Sequence, residues 1–223
     1  MKKLIFITIV CAFLAAPAMA DLYGFYCITN NNPTNAAIGE AQLTVDVTSY
    51  GTNQVLFTLL NAGPQASSIT DIYFDDGSLL ALAALIDKDE NGGLAGVDFT
   101  QEYFAKVAPP DLPGGESVSL EFDATEYFKA DSDSPVSSNG VGPEEYLGVI
   151  FDLQTDPYAK TLADVLNDLA SGELRIGIHV QAIGISGDSE SFINNPYVVP
   201  VPGAVLLGML GLSVAGLKLR KYA

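Results

Sequence analysis

The residues best suited to binding chemistry in this chain lie in one short acidic loop, DKDENGGLAGVD. Asp87, Asp89 and Asn91 match the first, third and fifth positions of a calcium loop, Gly92 the turn and Asp98 the last position. Calcium takes six to eight oxygen ligands on a sharply turning backbone. Aspartate at the last position has a shorter arm than the usual glutamate, and no convincing helices flank the loop. Two interpretations remain open, a calcium site and a solvated acidic hairpin loop.

The only histidine, His179, is the second candidate for chemistry. Alternation places it on the polar side of a strand together with Arg175 and Gln181. A single histidine without thiolates or clustered carboxylates does not make a zinc site, and the sequence shows no Ser-His-Asp pattern. We expect an exposed strand residue; the alternative is a contact to a sugar or another ligand on that sheet face.

Catalysis has little support in the sequence. No pair stands out among the 27 acidic residues as the acid and base of a glycoside hydrolase. The chain has no tryptophan to stack on sugar rings, although tyrosines such as Tyr103, Tyr127 and Tyr146 offer a substitute. We therefore predict no catalytic residues. A carbohydrate-binding module is the first alternative, and a secreted hydrolase the second.

The N-terminus has the pattern of a secretory signal peptide. Lys2 and Lys3 precede an apolar run, and the small residues Ala18 and Ala20 match a cleavage site. The run is too short for a membrane span of ~20 residues. Cleavage after Ala20 would leave Asp21 as the mature N-terminus.

The C-terminus predicts a membrane helix. The apolar run at 201–217 would be roughly 25 Å long as a helix, slightly less than a ~30 Å hydrocarbon core. Basic residues after a span favour a cytoplasmic C-terminus. The basic tip consists of Lys218, Arg220 and Lys221.

A proline motif precedes this run. The motif residues are Val199, Pro200, Val201, Pro202, Gly203 and Ala204. The order of proline motif, short apolar helix and basic tip resembles the PEP-CTERM sorting signal. Because Val201 stands where the eponymous signal has glutamate, the tail is most similar to the Val-Pro-x-Pro-Gly-Ala variety.

The resemblance implies where the protein is delivered, and it implies no biochemical activity. Its implied partners are the inner membrane of a Gram-negative bacterium, through the C-terminal helix, and a sorting protease or transpeptidase of the exosortase type. It also implies cleavage near the proline motif and delivery to the cell surface or the exopolysaccharide matrix. The alternative is an ordinary membrane anchor that is never cleaved.

Charge narrows the choice of partners. Residues 21–199 contain all 27 acidic residues and five basic ones, which gives a formal net charge of −22. Such a domain repels nucleic acid, because phosphate contacts need lysine and arginine, and it attracts divalent cations. Cys27 is the only cysteine after the signal peptide, so an internal disulfide is impossible.

Alternating apolar and polar residues predict half-buried antiparallel strands. The clearest alternation lies at 41–47, 118–123 and 174–181. Further predicted strands lie at 22–28, 53–61, 69–75, 78–86 and 146–153. One helix is expected at 161–172, capped by Thr161 and ended by Gly172. The segment 130–143 is expected to be a polar loop.

These elements predict a mainly β protein, an antiparallel β-sandwich of jelly-roll type with one short helix and a C-terminal transmembrane helix. The expected organisation is a signal peptide at 1–20, an exported domain at 21–193, a linker with the proline motif at 194–202 and the sorting tail at 203–223. The expected function is that of an exported, non-enzymatic protein of the cell surface or extracellular matrix, with calcium as the one possible cofactor.

Overall fold

The computed structural model describes residues 21–75, 77–88, 92–101 and 111–198 of the 223-residue chain. The strands in these ranges are β1 Asp21–Cys27, β2 Leu43–Tyr50, β3 Gln54–Asn61, β4 Ser68–Asp75, β5 Leu79–Ile86, β6 Phe99–Gln101, β7 Lys129–Ser132, β8 Glu145–Leu153, β9 Arg175–Ile183 and β10 Asp188–Val198. The α-helices in these ranges are α1 Pro33–Gln42, α2 Val136–Asn139 and α3 Leu162–Ser171. The predicted signal peptide and the predicted sorting tail, with its proline motif and basic tip, lie outside the described residues.

The described strands form one antiparallel sheet in the order β5-β8-β3-β2-β1-β10-β9-β4-β7-β6. Phe57 of β3 and Phe74 of β4 are far apart in this order, yet their ring centroids are 5.1 Å apart. The ring centroid of Phe151 of β8 likewise lies 4.7 Å from that of Phe74. The two halves of the sheet therefore face each other across the core, as the layers of a sandwich do. The predicted mainly antiparallel β architecture is confirmed.

Buried and half-buried residues alternate strictly along β3, so that one face of the strand packs into the core. Val55, Phe57 and Leu59 of β3 are fully buried, while the residues between them are only half-buried. Burying an aliphatic or aromatic side chain of this size contributes about 1.5–3 kcal/mol. The repeat of buried residues fixes the register, because a slip of one residue would turn the whole apolar set towards solvent.

Helix α3 is the helix that the sequence predicts. The amide and the hydroxyl of Thr161 donate to Asp164 Oδ2 at 2.7 and 2.8 Å, which closes the first turn. Gly172 ends the helix with a left-handed φ of +80°. Val165 and Leu169 are fully buried in the main core, which is the large apolar cluster that also contains Phe57, Phe74 and Phe151. The helix therefore covers one end of the core.

The predicted strand at 41–47 begins too early. Residues 41 and 42 belong to α1, and the strand starts at Leu43. Asn32 caps α1 by accepting from the Thr34 amide at 3.0 Å, and Pro33 takes the first helical position. Gly39 lets the helix approach β10, since a Cβ at this position would overlap the ring of Phe192.

The predicted strand at 118–123 is wrong, because this segment pairs with no described strand. The Arg175 guanidinium instead donates to the carbonyl oxygens of Leu120 and Glu121, at 2.7 and 2.6 Å. Phe122 packs with Tyr73 in a second, smaller apolar cluster, while Leu120 is exposed. The segment thus covers the outer side of the sheet. The polar loop expected at 130–143 is also wrong, because it holds most of β7 and all of α2.

The expected linker at 194–202 is wrong in its first part. Residues 194–198 continue β10, where Asn194 is paired with Phe25 and Val198 with Tyr23. The domain therefore extends to 198 rather than ending at 193. Within the described ranges, the structure contains no helix with the length and apolar character needed to cross a bilayer.

Candidate functional site

The outer face of three neighbouring strands brings together residues that are distant in sequence. In the register of the sheet, His179 of β9 lies opposite Asp71 of β4 on one side and opposite Ser191 of β10 on the other. Directly opposite residues of antiparallel strands share a face, with Cβ atoms about 4.5–5.5 Å apart. The sheet therefore places an aspartate, a histidine and a serine in one row.

Asp71 and His179 form the central contact of this row. His179 Nδ1 lies 3.0 Å from Asp71 Oδ2, and the Thr70 hydroxyl donates to the same oxygen at 2.7 Å. In the neutral tautomer that carries its proton on Nδ1, the ring donates to the carboxylate and keeps Nε2 as an acceptor. Nε2 forms no hydrogen bond to the described residues.

The exposure expected for His179 is wrong. Its side chain is 12% exposed and that of its partner Asp71 is 1% exposed. The expected face is confirmed, since Ile178 and Val180 on either side point into the main core.

An open pocket of about 630 Å³ adjoins His179. Its polar lining residues are Asn31, Ser137, His179, Gln181, Asp188 and Ser189. Ser137 Oγ lies 3.5 Å from Gln181 Oε1, which links α2 to β9 at the pocket wall. The lining offers amide, hydroxyl, imidazole and carboxylate groups, and no phenylalanine or tyrosine lines it among the described residues. Such a surface can exchange hydrogen bonds with the hydroxyl groups of a ligand.

Ser191 does not complete a catalytic triad in this structure. Its side chain is fully buried, and its Oγ has no hydrogen-bond partner within the described part of the chain. A serine nucleophile needs a hydrogen bond to the histidine and access to the substrate. Ser191 has neither, so the row supplies an oriented imidazole and no accessible nucleophile.

The other side of Asp71 holds a second carboxylate. Asp131 of β7 lies opposite Asp71, on the same face of the sheet. Burial, and then the charges of Asp71, Asp131 and Asp111, raise the pKa of the Tyr73 hydroxyl, which stays neutral at physiological pH. The Asp71 carboxylate is buried and bonded to Thr70 and His179, so both of its known contacts are within the protein.

The acidic loop predicted to bind calcium is described only in part, because Asp89 and Asn91 lie outside the described residues. Asp87 Oδ2 accepts from the Phe99 amide at 3.0 Å. The Asp98 carboxylate is paired with the Lys88 ammonium. No group of three or more histidine, cysteine or acidic side chains with metal-binding geometry occurs among the described residues. Calcium that bound both carboxylate oxygens of Asp98 would have to displace Lys88 from Oδ2.

Comparisons of the chain with protein-family models, with curated proteins and with solved structures gave no match. The candidate site is therefore defined by its own geometry. That geometry points to the pocket around His179, where a buried carboxylate orients an imidazole beside several polar side chains. The sequence predicts that His179 and Gln181 share one face, and it gives no sign that Asp71 is the partner of His179.

Proposed function

We propose that the chain is an exported, non-enzymatic protein of the cell surface or extracellular matrix, with a jelly-roll-like sandwich as its outer domain. It is held briefly in the inner membrane of a Gram-negative bacterium and then processed by an exosortase-type enzyme. The observation that carries this proposal is the order of proline motif, apolar run and basic tip at 199–223. The formal charge of −22 on 21–199 agrees with a domain that works outside the cell and away from nucleic acid.

Changing the proline motif tests the sorting step. In a host that carries an exosortase, Pro200→Ala with Pro202→Ala should leave the unprocessed chain in the inner membrane fraction. Pro113→Ala is the matched control, because Pro113 lies in the folded domain outside the motif. Processing of the double variant at the rate of the parent would show that the motif is not read.

A second function, polysaccharide binding, is favoured by the pocket around His179. Asp71 holds the ring so that Nε2 is left to accept a hydrogen bond, and Gln181 and Asp188 stand beside it. Saccharide hydroxyl groups both donate and accept, which matches this mixture of groups. An uncharged polysaccharide fits better than an anionic one, because the domain is strongly acidic.

Titration calorimetry with neutral and uronic-acid-rich polysaccharides tests this second function. Gln181→Ala should weaken binding of the neutral polymer about tenfold, which corresponds to ~1.4 kcal/mol. Thr155→Ala is the control, because Thr155 is an exposed residue outside the pocket. Equal affinity of parent and Gln181→Ala for every polymer would remove the pocket as a saccharide site.

A further inference from the structure

The two ends of the exported domain lie side by side. β1 begins at Asp21 and β10 ends at Val198, and the two strands are antiparallel neighbours with Tyr23 paired to Val198. The predicted signal peptide and the predicted sorting tail are therefore attached at the same end of the sheet. We call this the tail end, defined by the start of β1 and the end of β10.

The antiparallel order determines which other segments reach the tail end. Neighbouring strands alternate in direction, so β2, β4 and β8 end there, while β3, β5, β7 and β9 begin there. The turn 51–53 and the loop 154–161 consequently lie at this end. The turn 184–187, between β9 and β10, lies at the opposite end.

Exposed large apolar side chains are concentrated at the tail end. The described residues of this kind are Tyr26, Tyr50, Leu80, Leu120, Tyr127, Tyr158 and Ile185. Tyr50 is the last residue of β2, Leu80 the second of β5, and Tyr158 lies in the loop after β8. Tyr127 precedes β7, and the carbonyl of Leu120 is bonded to Arg175 at the start of β9.

The opposite end has a different character. Ile185, in the turn 184–187, lies at that end. Tyr26 is the sixth of the seven residues of β1, and it therefore also lies on the side of the opposite end. Five of the seven side chains thus share the end of the domain from which the chain continues towards the apolar run.

The connection to that run is short. β10 ends at Val198, and the predicted tail begins at residue 203. The four residues between them give five Cα–Cα steps from Val198 to residue 203, which span at most ~18 Å when fully extended. An anchored tail therefore holds the tail end within that distance of the bilayer surface.

We propose that the tail end rests on the membrane interface while the chain is anchored, with Tyr50 and Tyr158 among the lipid headgroups. This proposal relies on the membrane anchoring in the proposed function above. Tyrosine favours the interface, because its ring is apolar and its hydroxyl is polar. Lys160, two residues after Tyr158, supplies a cation for lipid phosphates. The −22 charge opposes both a second copy of the domain and anionic lipid on this surface, so the occupant is a zwitterionic headgroup such as phosphatidylethanolamine.

This orientation places the His179 pocket on the far side of the domain. The pocket wall includes Asp188 and Ser189, which follow the turn at the opposite end. A ligand on the side of the domain away from the inner membrane can then reach the pocket without crossing the membrane surface.

Single tryptophan probes test the orientation, because the natural chain has no tryptophan. The full chain with Tyr158→Trp and the full chain with Ile185→Trp, its matched control, are placed in zwitterionic phosphatidylethanolamine–phosphatidylcholine vesicles. Lipids brominated near the headgroup report contact by quenching. We expect quenching and a blue shift for the probe at 158 and neither for the probe at 185. Equal emission from the two probes, quenched or not, overturns the proposal.

Two further measurements distinguish a failure of the membrane anchoring from a failure of the proposed orientation. Flotation of the vesicles reports the anchor: a chain that does not float contradicts the anchoring in the proposed function, and the orientation falls with it. A chain that floats with an unquenched probe at 158 contradicts the orientation alone. A blue shift at 158 that appears only at high protein-to-lipid ratio identifies a second copy on this surface and also overturns the proposal.

Discussion

Asp71 and His179 are 108 residues apart in the chain, yet Asp71 Oδ2 lies 3.0 Å from His179 Nδ1 across two neighbouring strands. Asp71 is almost wholly buried, and its other oxygen, Oδ1, has no hydrogen-bond partner in the described part of the chain. A buried carboxylate is costly unless its hydrogen bonds are made. His179 therefore stabilises the fold at the same point at which it contributes to the pocket.

Removing the imidazole should destabilise the protein. His179→Ala leaves the Asp71 carboxylate with Thr70 as its remaining partner among the contacts described, and we expect a loss of about 1–3 kcal/mol in the free energy of unfolding. His179→Gln retains a donor and should lose less. Urea denaturation measures both, with Gln181→Ala on the same face as the control, expected within ~0.5 kcal/mol of the parent. An unchanged stability of His179→Ala would show that the contact adds nothing.

The first turn of α3 should make stability depend on acid pH. The side-chain hydrogen bond and then the backbone hydrogen bond from Thr161 lower the pKa of Asp164 from its ordinary value. A carboxyl with a lower pKa in the folded state contributes stability above its unfolded pKa of about 3.9, and this contribution is lost as the pH falls through the folded pKa. The destabilisation caused by Asp164→Asn should therefore be largest near neutral pH and shrink in acid. Urea unfolding over a pH series checks this, with exposed Asp156→Asn as control; a constant difference contradicts it.

Alternation predicted the strands whose two faces differ. In β3 and β9 one face is buried in the main core and the other is only partly covered, so period two is visible in the sequence. The whole of β10, Asp188–Val198, was missed for the opposite reason. Phe192 packs in the main core and its neighbour Ile193 in the second cluster. A strand that is covered on both faces loses its alternation.

The segment 118–123 shows that alternation alone does not make a strand. Phe122 and Leu120 have the spacing of a strand, but Phe122 is buried in the second cluster and Leu120 is exposed. Side-chain hydrogen bonds from Arg175 take the place of a neighbouring strand. The candidate site could not be predicted from local patterns either. The pairing of Asp71 with His179 depends on the register between two strands that are far apart in the sequence.

Two substitutions in the segment 118–123 test its packing. Phe122→Ala should destabilise the domain by about 3 kcal/mol or more, because it opens a cavity among Tyr73, Leu112 and Ile193. Leu120→Ala is the matched control, since Leu120 is 62% exposed and should change stability by less than ~0.5 kcal/mol. Thermal or urea unfolding measures both. Equal effects of the two substitutions would contradict the packing of this segment on the sheet.

Calcium binding at 87–98 remains a prediction, and the gain in the free energy of unfolding that it should produce can be calculated. A site with a Kd of ~10⁻⁴–10⁻³ M, as in extracellular modules, should add roughly 1.5–3 kcal/mol at ~10 mM calcium. Asp87→Asn with Asp89→Asn should remove that gain, and Asp156→Asn should keep it. Lys88→Ala should strengthen the gain, because it frees the Asp98 carboxylate from its ion pair. A double variant that responds to calcium as the parent does would identify the loop as an ordinary acidic loop.

The intact mass of the protein recovered from the surface of its native cells tests the sorting proposal most directly. The account predicts a chain that begins at Asp21 and ends near the proline motif at 199–204, without the apolar run and without Lys218, Arg220 and Lys221. A chain with its full C-terminus, held stably in the inner membrane, would contradict it.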